Sequence, residues 1–208
     1  MSRSVVIIGK GPSVLQSSKD FVDSFDDVAI CNFPPIDGYE QYIGSRATHH
    51  FLNVHDPNPY SKETLNSLGL LEVFNTHPVE HLGFTNIFPD SGVYYHHDYG
   101  TKVIPSFREE YEFDPSAGIL AFHYFVENKE YDTIGLVGFD FFSIGEKGYY
   151  YPKEKVQKSL RYLYGSGDRC VFDESGVRTK PNLHDGEKSK LFINEQCKKH
   201  NKRLVTIK

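Results

Sequence analysis

Val5-Val6-Ile7-Ile8-Gly9-Lys10-Gly11-Pro12-Ser13 opens the chain with four β-branched residues and then a glycine turn. An unbroken β-branched run reads as a strand buried on both faces, as in a parallel sheet. Gly9 and Gly11 let backbone amides approach a ligand with no Cβ in the way. Pro12 suits the first turn of a following helix, where its missing N–H is not needed, and Ser13 adds a hydroxyl. The start of such a helix presents N–H groups and a positive dipole end to an anion, above all a phosphate. The plain alternative is a tight turn that binds nothing. No Gly-Lys-Ser/Thr follows, so this is not a P-loop, and the third glycine of the dinucleotide fingerprint is missing.

Working outward, residues 13–25 have helical character. Val28-Ala29-Ile30-Cys31-Asn32 reads as a second strand, ended by Pro34-Pro35. Thr48 to Asn53 reads as a third, ended by His55-Asp56-Pro57, and Leu70 to Asn75 as a fourth. Residues 76–115 are rich in His, Pro, Gly and Tyr and carry no period that assigns them; short strands are expected within them. Ser116 caps a helix with Ile119, Leu120, His123 and Tyr124 at helical spacing. Asp132 to Val137 is a strand closed by Gly138, and residues 139–152 are a Gly- and Tyr-rich loop. Residues 153–164 look helical, 165–184 read as a polar mobile loop, and 185–200 as a helix. Arg203-Leu204-Val205-Thr206-Ile207 is a last strand.

Strands alternating with helices predict one Rossmann-like, three-layer α/β/α domain over residues 1–208 with a mainly parallel sheet. Ligands of such sheets bind beyond the carboxyl ends of the strands. The loops of interest, Gly9–Ser13, Asn32, Asn53 and Gly138–Phe142, each follow a predicted strand.

The 208 residues allow one domain with a sizeable core, and 38% apolar with 25% charged residues is a globular balance. The net charge is −5 and the basic residues form no single patch, which excludes a nucleic-acid footprint. Lys188, Lys190, Lys198, Lys199, Lys202, Arg203 and Lys208 make the end of the chain locally basic, but Glu187 and Glu195 interrupt them, as on a solvated helix face. Cys31, Cys170 and Cys197 form no CxxC pair, which argues against structural zinc and for a reducing, cytoplasmic setting. No apolar run is long enough to cross a membrane. Any anchor is expected to lie outside this chain, with peripheral membrane association and a homo-oligomer both compatible with it.

Several residues could carry chemistry. Asn32 and Asn53 end neighbouring strands at one sheet edge, and an uncharged amide both donates to and accepts from sugar hydroxyls, phosphate or a base edge. Each could equally cap a turn. Pro115-Ser116-Ala117-Gly118 starts a helix and offers a second anion site, or simply a capped terminus. Asp140, in Gly138-Phe139-Asp140, could accept from a ribose or be an ordinary turn aspartate. No Asp-x-Asp triplet occurs, so no resident metal is expected. Tyr149-Tyr150-Tyr151 could hydrogen-bond a departing phosphate or pack its own loop. His184 could take a proton from an acceptor hydroxyl. His49-His50 and His96-His97-Asp98 are rivals, although adjacent histidines on a strand point to opposite faces.

These motifs, in this order, resemble the sialyltransferases, glycosyltransferase families 29 and 42. The bacterial family opens with a strand and a Gly-x-Gly-Pro-Ser loop, as Gly9 to Ser13 do, and ends its next strands as Cys31-Asn32 and Phe51-Leu52-Asn53 do. In the animal-type family a Pro-Ser-Thr-Gly segment, an aliphatic helix and a strand ending Tyr-Gly-Phe follow one another. Here Pro115-Ser116-Ala117-Gly118-Ile119-Leu120 leads to Leu136-Val137-Gly138-Phe139-Asp140. Tyr149-Tyr150-Tyr151 resembles the short aromatic motif, and Asn182-Leu183-His184-Asp185-Gly186-Glu187 the final His…Glu motif.

The resemblance implies a GT-A-like variant fold and inverting, metal-independent transfer from CMP-sialic acid to a glycan hydroxyl. It implies no cofactor beyond that donor substrate. Gly9, Gly11, Pro12, Ser13, Asn32 and Asn53 would hold the nucleotide. Ser116, Ala117, Gly118, Gly138, Phe139 and Asp140 would face the donor. Tyr149 or Tyr150 would stabilise the leaving phosphate, and His184 would be the base. The chain departs from the pattern where Ala117 replaces a hydroxyl residue, where Phe142 replaces a tyrosine, and in a shortened His-to-Glu spacing. A bacterial-style register would put Lys188 at the base position. Other readings are a transferase of another CMP-activated keto-sugar acid, a pterin pyrophosphokinase-like enzyme that shares Gly-x-Gly-Pro-Ser, and a non-catalytic nucleotide- or glycan-binding relative.

Overall fold

The computed structural model describes residues 2–53, 60–77, 92–141, 149–151, 177 and 184–207. Seven strands form one sheet in the order β5-β4-β3-β2-β1-β6-β7. They are β1 (Arg3–Ile8), β2 (Asp27–Cys31), β3 (His49–Leu52), β4 (Glu72–Asn75), β5 (Tyr94–His96), β6 (Tyr131–Val137) and β7 (Arg203–Thr206). Every pairing among them is parallel. The helices are a 3-10 turn over Pro12–Gln16, α1 (Lys19–Asp23), α2 (Glu40–Ile43), α3 (Lys62–Ser67), α4 (Tyr99–Tyr111), α5 (Ala117–Glu127) and α6 (Gly186–Lys199).

The central strands are buried on both faces, and alternation sorts their side chains into two cores. Val5, Ile7, Ala29, Cys31, Phe51 and Phe74 point to one face, where Phe107 of α4, Ile119, Phe122 and Phe125 of α5, and Phe192 of α6 cover them. Val6, Ile8, Val28, Ile30, Leu52 and Val73 point to the other, under Val14, Val22 of α1, Ile43 of α2 and Leu65 of α3. Each such side chain contributes about 1.5–3 kcal/mol by leaving water. Helices on both faces of a parallel sheet are the expected three layers.

Two segments differ from the sequence expectations. The helix expected over 13–25 is broken, because Ser17 and Ser18 are extended and the Ser18 hydroxyl accepts the Phe21 N–H to start α1 anew. Within 76–115, the described part holds β5 and the 13-residue α4. Pro105 lies inside α4, and proline in a helix interior hides the pattern that would have announced it. The helix expected over 153–164, the loop over 165–183 except Val177, and Phe142 and Cys170 lie outside the described residues.

The rival histidines are tied into the frame. His49 and His50 do point to opposite faces of β3. Glu72 stands between His96 Nε2 (2.6 Å) and His49 Nε2 (3.5 Å), and the Tyr124 hydroxyl donates to it at 3.3 Å. The hydrogen bonds from His49 and His96 hold the Glu72 carboxyl well below the usual range. This cluster begins at the first residues of β3 and β4, at the amino ends of those strands. His50 is fully buried, its ring edge-on to Phe33, and its Nε2 donates to the Asn32 carbonyl.

Burial pushes the His50 imidazole down to about 4, against the opposing pull of the Asn32 carbonyl. The unfolded chain takes up this proton near 6.5 and the folded chain only near 4, so stability is full above the first value and falls as pH drops towards the second. Urea unfolding over that window should lose up to about 3 kcal/mol through this residue. His50→Gln should flatten the profile; an unchanged slope in the variant would count against it.

Candidate active site

β1 lies between β2 and β6. The chain leaves it in one direction through β2 to β5 and returns on its other side with β6. That reversal opens a crevice at the carboxyl ends of β1 and β6, where parallel α/β sheets bind ligands.

The two turns at that crevice touch. The Gly9 N–H donates to the Val137 carbonyl at 2.8 Å and the Gly11 N–H to the Gly138 carbonyl at 3.0 Å. A Cβ on Gly9 would lie 2.5 Å from the Gly138 oxygen, and one on Gly11 1.8 Å from Asp140 Oδ2. Gly138 has φ +72°, a left-handed conformation that glycine adopts without strain. The loop glycines therefore admit a second backbone turn of the protein itself.

Asp140 completes the contact. Its Oδ2 accepts the Ser13 N–H at 3.1 Å and the Ser13 hydroxyl at 3.0 Å. The Val14 N–H donates to the Gly11 carbonyl. The open cradle of amides expected from the sequence is thus largely closed, with Asp140 as the anion at the head of the 3-10 turn. Among the described residues, Lys10 keeps the one loop N–H without a protein partner.

Asn32 has φ 56°, and its Oδ1 accepts the Asn53 N–H at 2.9 Å. The two asparagines are thus joined across the ends of β2 and β3. At the start of α5 the Ser116 hydroxyl accepts the Ile119 N–H at 3.3 Å, the capping contact. The amides of Ala117 and Gly118, in the first turn, have no carbonyl within the helix to bond. A Cβ on Gly118 would lie 2.9 Å from the Phe139 ring, so that ring seats α5 against the β6 turn.

His184 precedes α6. Its Nδ1 bonds the Asp114 carbonyl at 2.9 Å, two residues before Ser116. A carbonyl only accepts, so Nδ1 carries the proton and the lone pair of the neutral ring is on Nε2. A Cβ on Gly186 would lie 1.9 Å from the Phe141 carbonyl, which places the start of α6 directly on the β6 turn. The Lys188 ammonium, the rival base, donates to the Glu112 carbonyl at 2.9 Å.

The three tyrosines part ways. The Tyr150 N–H donates to the Lys10 carbonyl at 3.1 Å, while its hydroxyl donates to the Pro35 carbonyl at 2.6 Å. Burial pushes the Tyr150 phenol well above its usual range. Tyr150 and Tyr151 are buried; Tyr149 is half-buried with the Lys10 ammonium 5.1 Å from its ring centre. Lys10 was missed in the sequence reading, although its place between two loop glycines was a visible signal.

Gly9, Lys10, Gly11, Pro12, Ser13, Asn32, Asn53, Ser116, Ala117, Phe139, Asp140, Tyr149 and His184 are all half-buried. They rim the carboxyl edge of a sheet whose central strands are buried. Among the described residues no three His, Cys, Asp or Glu side chains are placed to hold a metal ion.

Neither a protein-family model nor a curated protein sequence matches the chain. Solved structures do. The monofunctional alpha-2,3-sialyltransferase Cst-I from Campylobacter jejuni superposes with a TM-score of 0.64 at 16% identity, over 99% of this chain and 76% of that one. The chain has the fold of the sialyltransferases. The sialyltransferase CstII from Campylobacter jejuni, in complex with the substrate analogue cytidine-5′-monophosphate, gives 0.58 at 17% identity over 99% and 79%. A mammalian sialyltransferase in complex with Gal-beta-1-3GalNAc-ortho-nitrophenol gives 0.56 at 16% over 98% and 69%. The resemblance read from short motifs is one of fold as well. Among the described residues, no helix is long and apolar enough to cross a membrane.

The contact between the two turns carries a stability prediction. Gly9→Ala pushes a methyl group into the Gly138 carbonyl, backbone that cannot rotate away. It should cost about 1–3 kcal/mol, read as a lower urea midpoint with an unchanged slope. A midpoint equal to that of the wild type would show that the turns have room to part.

Proposed function

We propose that this chain transfers a sialyl residue from CMP-sialic acid to a glycan hydroxyl, with inversion and without a metal. One observation carries the reading. The glycine loop, Asn32, Asn53, the start of α5, the β6 turn and His184 form one half-buried rim at the switch point of a fold shared with an enzyme that holds cytidine-5′-monophosphate.

In this reading the nucleotide lies along the carboxyl ends of β1 to β3, with Asn32 and Asn53 towards its base and ribose. The amides of Ala117 and Gly118 face the carboxylate or phosphate of the donor. His184 Nε2 takes the proton of the acceptor hydroxyl as that oxygen bonds the anomeric carbon. The bond from the anomeric carbon to the phosphate oxygen breaks on the opposite side, and CMP leaves with the bonding pair. His184 is held for this by the Asp114 carbonyl, which fixes the tautomer with Nε2 unprotonated. Of the tyrosines, Tyr149 is the one beside the loop lysine, so a phenol contact to the leaving phosphate falls to it rather than to Tyr150.

Thermal shift with CMP, CDP, UMP and ATP, each with and without EDTA, tests the donor class. CMP should raise the melting temperature equally in both conditions. Silence towards every cytidine nucleotide would overturn the reading, and a response only to ATP with Mg²⁺ would favour diphosphate transfer instead. His184→Ala should bind CMP as the wild type does and lose about 10²–10⁴-fold in transfer rate. Full activity in that variant would remove His184 from the base position.

A further inference from the structure

The closure of the glycine loop leaves a charge problem at the crevice. Gly9, Gly11, Ser13 and Val14 spend their N–H groups inside the protein, and Asp140 puts a carboxylate at the head of the 3-10 turn. A phosphate brought to this loop meets a negative group and few amides. Like charges at close range repel strongly where water is partly excluded. Something cationic has to compensate.

Lys10 is placed to do so. Its backbone is pinned on three sides, by the neighbouring N–H bonds of Gly9 and Gly11 and by the Tyr150 N–H on its carbonyl. The side chain leaves this fixed point half-buried and ends with its ammonium over the Tyr149 ring, 5.1 Å from the centre. A ring face holds a cation by its quadrupole without neutralising it. The charge also acts on the thiol of Cys31, the last residue of β2, opposing its burial. Among the described residues Lys10 makes no ion pair. Two other lysines at this end of the sheet are engaged: Lys188 donates to the Glu112 carbonyl, and Lys190 pairs with Glu187.

We infer that Lys10 binds the phosphate of the nucleotide, with Tyr149 as the platform for its ammonium and its own N–H as a second donor. The inference rests on the nucleotide reading above and deepens it. Here a side-chain cation takes the place of an amide cradle or a metal ion, and the positive charge stays beside the phosphate as CMP departs.

Isothermal titration with CMP and with cytidine, on wild type and on Lys10→Met, Lys10→Gln and Lys10→Arg, tests this. The wild type should prefer CMP to cytidine. Lys10→Met and Lys10→Gln should lose about tenfold to a hundredfold towards CMP and nothing towards cytidine. Lys10→Arg should stay within about threefold of wild type, since it keeps the charge. Raising ionic strength should weaken CMP binding more in the wild type than in Lys10→Met. A merely structural role would move CMP and cytidine together. Unchanged CMP affinity in Lys10→Met or Lys10→Gln overturns the assignment of Lys10 alone. A wild-type chain that does not bind CMP overturns the nucleotide reading and this inference with it.

Discussion

The structure turns on the approach of two backbone turns, one after β1 and one after β6. β1 and β6 pair over six residues, Arg3 to Ile8 against Tyr131 to Val137, with a register shift between Arg3 and Ser4. Their turns then meet through Gly9, Gly11 and Gly138, at distances that leave no room for a Cβ on the first two. The Ser13–Asp140 pair locks the contact from the side. Strands far apart in the chain are joined here, and α5, α6 and the tyrosine segment are positioned relative to this joint. α5 reaches it through Gly118 on the Phe139 ring, α6 through Gly186 on the Phe141 carbonyl, and the tyrosine segment through Tyr150 on Lys10.

The sheet separates its charges by end. At the amino ends of β3 and β4 the polar groups satisfy one another, with Glu72 between two histidines and under Tyr124. The rings of Phe51, Phe74 and His96 stack across three strands, with centres 4.1 and 4.0 Å apart, and seal that region. Pairing offsets the cost of taking this half-buried carboxylate partly out of water. At the carboxyl end the groups are half-buried and face the crevice.

The chemistry proposed for the crevice follows from what each group has already spent. Tyr150 uses its hydroxyl on Pro35, Asp140 its carboxylate on Ser13, and Lys188 its ammonium on Glu112. His184 uses Nδ1 on Asp114, and that use defines which nitrogen takes a proton. Lys10 has its ammonium over the Tyr149 ring and makes no ion pair among the described residues. The proposed transfer releases a nucleoside monophosphate and asks for a base near the acceptor and a cation near the phosphate, the roles the proposal gives to His184 and Lys10.

The parallel sheet, most of its strands and the positions of α5 and α6 were legible in the sequence. β-branched runs at 5–8 and 28–30 and a serine cap at 116 are local signals, and local physics decides them. α4 was not legible and β5 was expected only as an unplaced short strand, because Pro105 and a His- and Tyr-rich composition erase the apolar period there. Residue types also picked out loops that meet at the carboxyl edge of the sheet, since the glycines and asparagines each follow a buried strand. Only the tertiary structure decided how those loops are used. The Ser13–Asp140 bond spans 127 positions and the Tyr150–Pro35 bond 115, so no local pattern announces them. A buried hydrogen bond is chosen by proximity in space, and proximity is settled when β6 returns to lie beside β1. That return turned an open amide loop into a closed one and left Lys10 as its charge.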